Sequence, residues 1–132
     1  MTYKTGDKIN PFNIKVDKYR PMYYAGASGD FNPIHIDDEF AKSAGLPGII
    51  LQGLCTMAFV SRAVLQDKDP ALLKSLKVRF RHPVRPKDTL TVMGIVSKIE
   101  NHLVTIDLTS ENQNKEQVIT NGCAVMSAEA LK

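Results

Sequence analysis

Cysteine is scarce in this chain: among 132 residues there are two, Cys55 and Cys123. They show no metal-type spacing, and each lies in an apolar segment. The expectation is two buried free thiols in a reducing cytoplasm. Strong charge of either sign is also missing. Seventeen basic and 14 acidic residues leave a formal net charge of +3, scattered along the chain, which gives no sign of a nucleic-acid partner. No apolar run is long enough to cross a bilayer, so no membrane partner is expected. The first residues, Met1 to Lys8, lack the apolar core of a signal peptide, and the expected localisation is cytoplasmic. Internal repeats, low-complexity tracts and linkers are absent as well, and the length suits one domain over 1–132. No dinucleotide glycine motif and no cluster of metal ligands is present, so no metal or cofactor is expected.

What the chain does have is a dense polar stretch. Tyr24-Ala25-Gly26-Ala27-Ser28-Gly29-Asp30-Phe31-Asn32-Pro33-Ile34-His35-Ile36-Asp37-Asp38 places a carboxylate, an amide and an imidazole within six residues. Pro33 has no N–H and pushes Asn32 toward extended geometry, while Gly29 gives freedom just before Asp30. Such a loop can fold Asp30 and His35 toward one small polar spot, as acid–base chemistry on a water molecule requires. Clusters of Asp, Asn and Pro also mark turns, and capping of loop backbone is the competing reading of the same residues.

The two halves of the chain differ in character. In residues 1–70, Pro11 to Val16 reads as an opening strand. Asp17 is a plausible N-cap for a helix through about Ala27, with Pro21 in its first turn. Asp37 caps a second helix from Asp38 to Ala44, with Gly45 as its stop. Gly53 to Gln66 is apolar around most of a helical circumference, which predicts a buried helix. Residues 71–132 alternate as strands do, with Leu76, Val78 and Phe80 on one side and Lys77, Arg79 and Arg81 on the other. Leu90 to Val96, Leu103 to Ser110 and Gln117 to Ser127 follow, joined by hairpin-like connections. The resulting expectation is an α+β antiparallel sheet of about five strands wrapped around one buried helix.

The run from Tyr24 to His35 closely resembles the signature of the MaoC-like hot-dog family, which includes (R)-specific enoyl-CoA hydratases and (3R)-hydroxyacyl-ACP dehydratases. The resemblance continues through Asp37-Asp38-Glu39-Phe40-Ala41-Lys42, through Gln52-Gly53-Leu54-Cys55-Thr56-Met57-Ala58, and through Phe80-Arg81-His82-Pro83-Val84-Arg85-Pro86-Lys87-Asp88-Thr89-Leu90. It implies a hot-dog fold and interconversion of trans-2-enoyl and (3R)-3-hydroxyacyl thioesters of coenzyme A or acyl carrier protein. It also implies residue roles. Asp30 and His35 are the expected catalytic dyad around one water, and Asn32 is the expected orienting residue. The Gly53 N–H is the expected oxyanion donor, and Ser61 matches a serine with a supporting role. Arg79, Arg81, Arg85 and Lys87 are candidates for the phosphates of the carrier, against the alternative of a solvated strand face.

The requirements of the chemistry agree. Hydration puts OH on C3 and H on C2 and gathers enolate character on the thioester oxygen. The site therefore needs a base, an acid and a donor to the oxygen. Gly53 opens the buried helix, where free N–H groups and the helix dipole favour negative charge. Two departures from the family pattern stand out: Gln52 in place of a histidine, and Lys87 in place of the glycine of a Pro-Gly-Asp turn. His82 and His102 are expected at the surface, and Phe40, Leu54, Met57 and residues 68–76 along the acyl path. A thioesterase on the same fold and a non-catalytic acyl-thioester-binding subunit are the alternative functions. The partner expectation is a homodimer, or a heterodimer with a related subunit, which also covers exposed edge strands.

Overall fold

The computed structural model describes residues 3–131; Met1, Thr2 and Lys132 lie outside the described residues. Strand β1 spans Phe12–Lys15, helix α1 Arg20–Ser28, α2 Asp38–Ser43 and α3 Gly53–Leu65. Four strands follow: β2 Leu73–Phe80, β3 Thr89–Glu100, β4 Leu103–Glu111 and β5 Gln117–Ser127. All pairings are antiparallel, and the order across the sheet is β1-β3-β4-β5-β2.

Local chemistry sets most element ends. Asp17 does not cap α1, as its position suggests. Its carboxylate instead accepts from the Tyr19 N–H at 2.8 Å, and the helix begins three residues later, at Arg20. Asp37 does cap α2, accepting from the Phe40 N–H at 3.1 Å. The helix ends on Gly45, whose φ of +91° carries the chain out while Leu46 N–H bonds back to the Ala41 carbonyl at 3.0 Å. Asn101 and His102 link β3 to β4 with φ of +52° and +63°, the two left-handed residues of a type I′ hairpin turn.

The core lies between α3 and one face of the sheet. Cys55, Phe59, Val60, Ala63 and Val64 of the helix join Leu90, Val92, Val96, Ile106, Leu108 and Val118 of the strands in one cluster. Full burial of a Leu or Val side chain stabilises by roughly 1.5–3 kcal/mol. Alternation in β3 sorts its side chains: Leu90, Val92 and Val96 are fully buried, whereas Met93 and Ile95 are 37% and 46% exposed on the outer face. The expectation of a helix covered on nearly every side is corrected here. Leu54 is 65% exposed and Ala58 is exposed, because the sheet of one chain encloses only one side of α3. Cys123, expected in the core, is half-buried on the outer face; Cys55 is buried, and both thiols are free. No helix among the described residues is long and apolar enough to cross a membrane.

Candidate active site

The loop between α1 and α2 carries the first two groups. Ser28 Oγ accepts from the Asp30 N–H at 3.1 Å, and Asp30 Oδ1 accepts from the Asn32 N–H at 3.3 Å. A short 3₁₀ turn, Pro33–His35, follows. Asn32 secures it twice, its side-chain oxygen accepting from Ile34 N–H at 3.3 Å and its carbonyl from His35 N–H at 2.9 Å. Pro33 at the first position costs nothing there, since that N–H would be unpaired in any case. The capping and the catalytic readings of this loop are therefore compatible: the same caps that shape the turn present the imidazole.

His35 is 7% exposed, and its Nδ1 lies 2.8 Å from the Ile50 carbonyl. A carbonyl only accepts, so Nδ1 bears a proton, and in the neutral form of the ring Nε2 presents its lone pair on the other side. Nε2 is 3.7 Å from Asp30 Oδ2, beyond direct hydrogen bonding. Two acceptors facing one another across this gap suit a water molecule, which can donate to both.

The segment before α3 joins the site together. Ile50 N–H donates to the Ile34 carbonyl at 3.1 Å, and Leu51 N–H to the Val84 carbonyl at 2.7 Å. Gln52, 1% exposed, donates from Nε2 to the Pro21 carbonyl of α1 at 2.9 Å, while its Oε1 is buried without a partner. The residue in the place of the family's histidine thus ties α1 to the start of α3. Gly53 is the first helical residue, so its N–H belongs to the unpaired first turn at the positive end of the dipole. A β-carbon on Gly53 would lie 3.2 Å from the Phe80 ring. A larger residue here would press on that ring, which is itself 52% exposed.

His35 and Gly53 share a cavity of about 300 Å³ with Leu51, Thr56, Phe80, Arg81, His82, Val84 and Val118. The candidate residues divide clearly around it. Asp30 and Asn32 are outside its lining, and Asp30 lies 3.7 Å from the His35 that lines it. Arg81 lines it, and Arg79, Arg85 and Lys87 do not. Arg85 instead lies against Gly48 and Asp38, and Lys87 occupies a turn. Ser61 is also absent from the lining; its hydroxyl donates to the Ala58 carbonyl of its own helix at 2.7 Å. Thr56, Phe80 and His82 are among the lining residues that sequence reasoning missed. Thr56 had a usable signal, since three residues after Gly53 it falls on the same helix face. A larger cavity, about 710 Å³, opens on the outer side of the sheet beside Met93, Ile95 and Cys123 and contains none of these groups. Among the described residues, no three His, Cys, Asp or Glu side chains gather as metal ligands. Burial pushes the Cys55 thiol above its usual range, against the opposing pull of Arg20, so this cysteine is a core residue and a poor nucleophile.

Comparison with known proteins decides the family: residues 3–126 match the MaoC like domain. The chain belongs to this family. A peroxisomal multifunctional enzyme type 2 of Drosophila melanogaster is 54% identical over 68 residues, covering 49% of the chain and 11% of that protein. A probable enoyl-CoA hydratase 2 of Dictyostelium discoideum is 39% identical over 109 residues, covering 80% of the chain and 36% of that protein. The chain therefore spans well under half the length of these relatives. Among solved structures, the ChsH1-ChsH2 complex from Mycobacterium tuberculosis superposes with a TM-score of 0.83 at 24% identity, covering 94% of the chain and 98% of that chain. At that identity the likeness speaks to the fold. The fold is the hot-dog of MaoC-like domains, an α+β arrangement of a five-stranded antiparallel sheet with α3 against it.

Proposed function

We propose that this MaoC-like domain is a hydratase/dehydratase, a lyase that interconverts trans-2-enoyl and (3R)-3-hydroxyacyl thioesters in fatty-acid metabolism. The observation that carries the proposal is the 3.7 Å gap between His35 Nε2 and Asp30 Oδ2, with Nδ1 fixed on the Ile50 carbonyl and Gly53 in the same cavity.

In the hydration direction, a water bridges Nε2 and the Asp30 carboxylate and turns an oxygen lone pair toward C3 of the enoyl group. As the C3–O bond forms, one water proton passes to the pair, and the pair delivers a proton to C2. The elements of water are added without any change of redox state. Charge gathering on the thioester oxygen meets the Gly53 N–H, a contribution that is typically about 10²–10³ in rate for one such donor. Asp30 and His35 act as one coupled unit. Asn32 sets the turn that aims His35, and Arg81 is the cation available to the carrier phosphates.

The substrate is an acyl thioester on coenzyme A or a carrier protein. A second copy, or a related subunit, packs over the uncovered side of α3 near Leu54. The cytoplasm remains the proposed compartment, with peroxisomal relatives as the alternative. Stopped assays with crotonyl-CoA test the reading. The expected result is loss of enoyl absorbance and formation of 3-hydroxybutyryl-CoA of R configuration. Release of free thiol without hydration indicates a thioesterase and sinks the proposal, and tight binding without turnover sinks it in favour of a binding subunit.

A further inference from the structure

The cavity is lined by a second imidazole, which the hydration chemistry leaves unused. His82 Nε2 is 3.3 Å from Glu116 Oε2. The pair is built by the fold. Arg81 N–H bonds to the Val118 carbonyl at 2.9 Å, which extends the β2–β5 ladder one step and brings residue 82 beside the β4–β5 turn. That turn is organised around Asn112, 5% exposed. Its Oδ1 accepts from the N–H groups of Asn114 at 2.9 Å and Glu116 at 3.1 Å, and its Nδ2 donates to Glu116 Oε1 at 3.1 Å. One Glu116 oxygen is thus held by a buried amide while the other holds His82.

The position of His82 in the cavity determines what it meets. The side chain of His35 is 8% exposed and that of His82 is 42% exposed, so the first imidazole lies deep and the second at the rim. A cavity of about 300 Å³ is at the small end of ligand pockets. With the reacting carbons between the dyad and Gly53, the arm beyond the sulfur must leave across the rim. This arm is common to coenzyme A and to carrier proteins, and its recognisable groups are amides. The Glu116 contact uses Nε2 of His82, which leaves Nδ1 for a ligand. We infer that His82, oriented by Glu116, is a specificity-determining residue that hydrogen-bonds an amide of the substrate's carrier arm. The inference rests on the thioester reading of the cavity.

The test compares crotonyl-CoA, crotonyl carrier protein and S-ethyl thiocrotonate, which keeps the reacting atoms and has no arm amide. His82→Ala should lower kcat/KM on crotonyl-CoA about five- to ten-fold, the factor of one hydrogen bond of ordinary net strength, mainly through KM. It should leave S-ethyl thiocrotonate within about two-fold. His82→Gln, which restores an amide-compatible polar group, should recover most of the loss. Losses on both carriers assign the arm they share; a loss on one alone places His82 on the part that differs between them and overturns the inference. An unchanged kcat/KM on both carriers, or an equal loss on S-ethyl thiocrotonate, overturns the inference while the hydratase reading stands. A wild-type chain that hydrates none of the three thioesters overturns that reading, and the inference with it.

Discussion

Two imidazoles line one cavity and each faces a carboxylate outside its lining, but the two pairs differ in the way that matters for chemistry. His82 and Glu116 are 3.3 Å apart at the rim, close to direct contact. His35 and Asp30 are 3.7 Å apart, and the buried imidazole is pinned through its other nitrogen by a carbonyl of a different segment. A pair in contact satisfies itself, and its effect on a ligand is to orient. A pair held short of contact leaves an acceptor on each side of a gap, which a water fills better than either partner can. The backbone around Ile50 maintains that gap: Ile50 bonds to the turn through both its N–H and its carbonyl.

The sharpest way to break this comparison is the same chemical change at both carboxylates. Asp30→Asn should reduce kcat for hydration about 10³-fold, within the range for a positioned acid–base group. Glu116→Gln should cost less than about ten-fold. Asp30 is about half exposed, so Asp30→Asn should fold normally, and its melting temperature checks that. Comparable losses at the two sites would erase the distinction between a working pair and an orienting one. Next in size is Gly53→Ala. Its methyl meets the Phe80 ring at 3.2 Å, so the N-terminus of α3 or the ring must move. A full 1 Å misplacement can cost about 10²-fold in kcat, and the smaller shift needed here should cost less than that. Adding Phe80→Ala should return much of the activity, because the N–H itself is retained. If it returns none, the space at Gly53 serves the substrate rather than the ring.

These residues also show how much was legible beforehand. Asp30, Asn32 and His35 could be read because one short loop carries all three, and its turn chemistry is local. The strands and their antiparallel hairpins β3–β4 and β4–β5 followed from spacing and alternation, whereas the pairing of β2 with β5 rather than with β3 did not. What could not be read was long-range. Ile50 fixes His35 across 15 residues, and Gln52 reaches Pro21 across 31. His82 is exposed, as its sequence position suggests, but nothing nearby reveals that β5 brings Glu116 beside it. The basic residues 79 to 87 looked equivalent as a strand face, but only Arg81 reaches the cavity. The start of α1 also lies beyond the expected cap: Asp17 takes the Tyr19 N–H, and Tyr19 is the residue before the first helical one, Arg20.

Asp38 sharpens the comparison as a third carboxylate, one wholly engaged by structure. The Ile49 N–H at 3.0 Å, then Lys42 at 3.2 Å and Arg85 hold its carboxyl below the usual range. A lowered folded-state value stabilises the fold above the unfolded value of about 4. That contribution fades as the pH falls through this window toward the folded value. Asp38→Asn should therefore be less stable than wild type at pH 7, and the gap between their urea midpoints should narrow at pH 3. A gap independent of pH would show that ionisation of Asp38 does not stabilise the fold. Hydration activity at pH 7 should change little, since the partners of Asp38 are Ile49, Lys42 and Arg85, none of which lines the cavity.

The smallest effect separates a structural basic residue from an available one. Arg85-Pro86-Lys87-Asp88 is a turn closed by Asp88 N–H to the Arg85 carbonyl at 3.1 Å, with the Asp88 carboxylate accepting from Arg85 N–H at 2.9 Å. Proline at the second position and a left-handed residue at the third are the pattern of a type II turn, which favours glycine third. Lys87 sits there with φ of +73°, held by its N–H on the Val16 carbonyl at 2.8 Å. A side chain in that region costs roughly 1–2 kcal/mol, and glycine returns part of the gain through its freer unfolded chain. Lys87→Gly should then stabilise the protein by about 0.5–1 kcal/mol in urea denaturation and leave the KM for crotonyl-CoA unchanged. Arg81→Ala should do the reverse, raising that KM with little change in stability. A rise in KM for Lys87→Gly would put this lysine on the carrier after all and move it from the turn's side of the comparison to the cavity's.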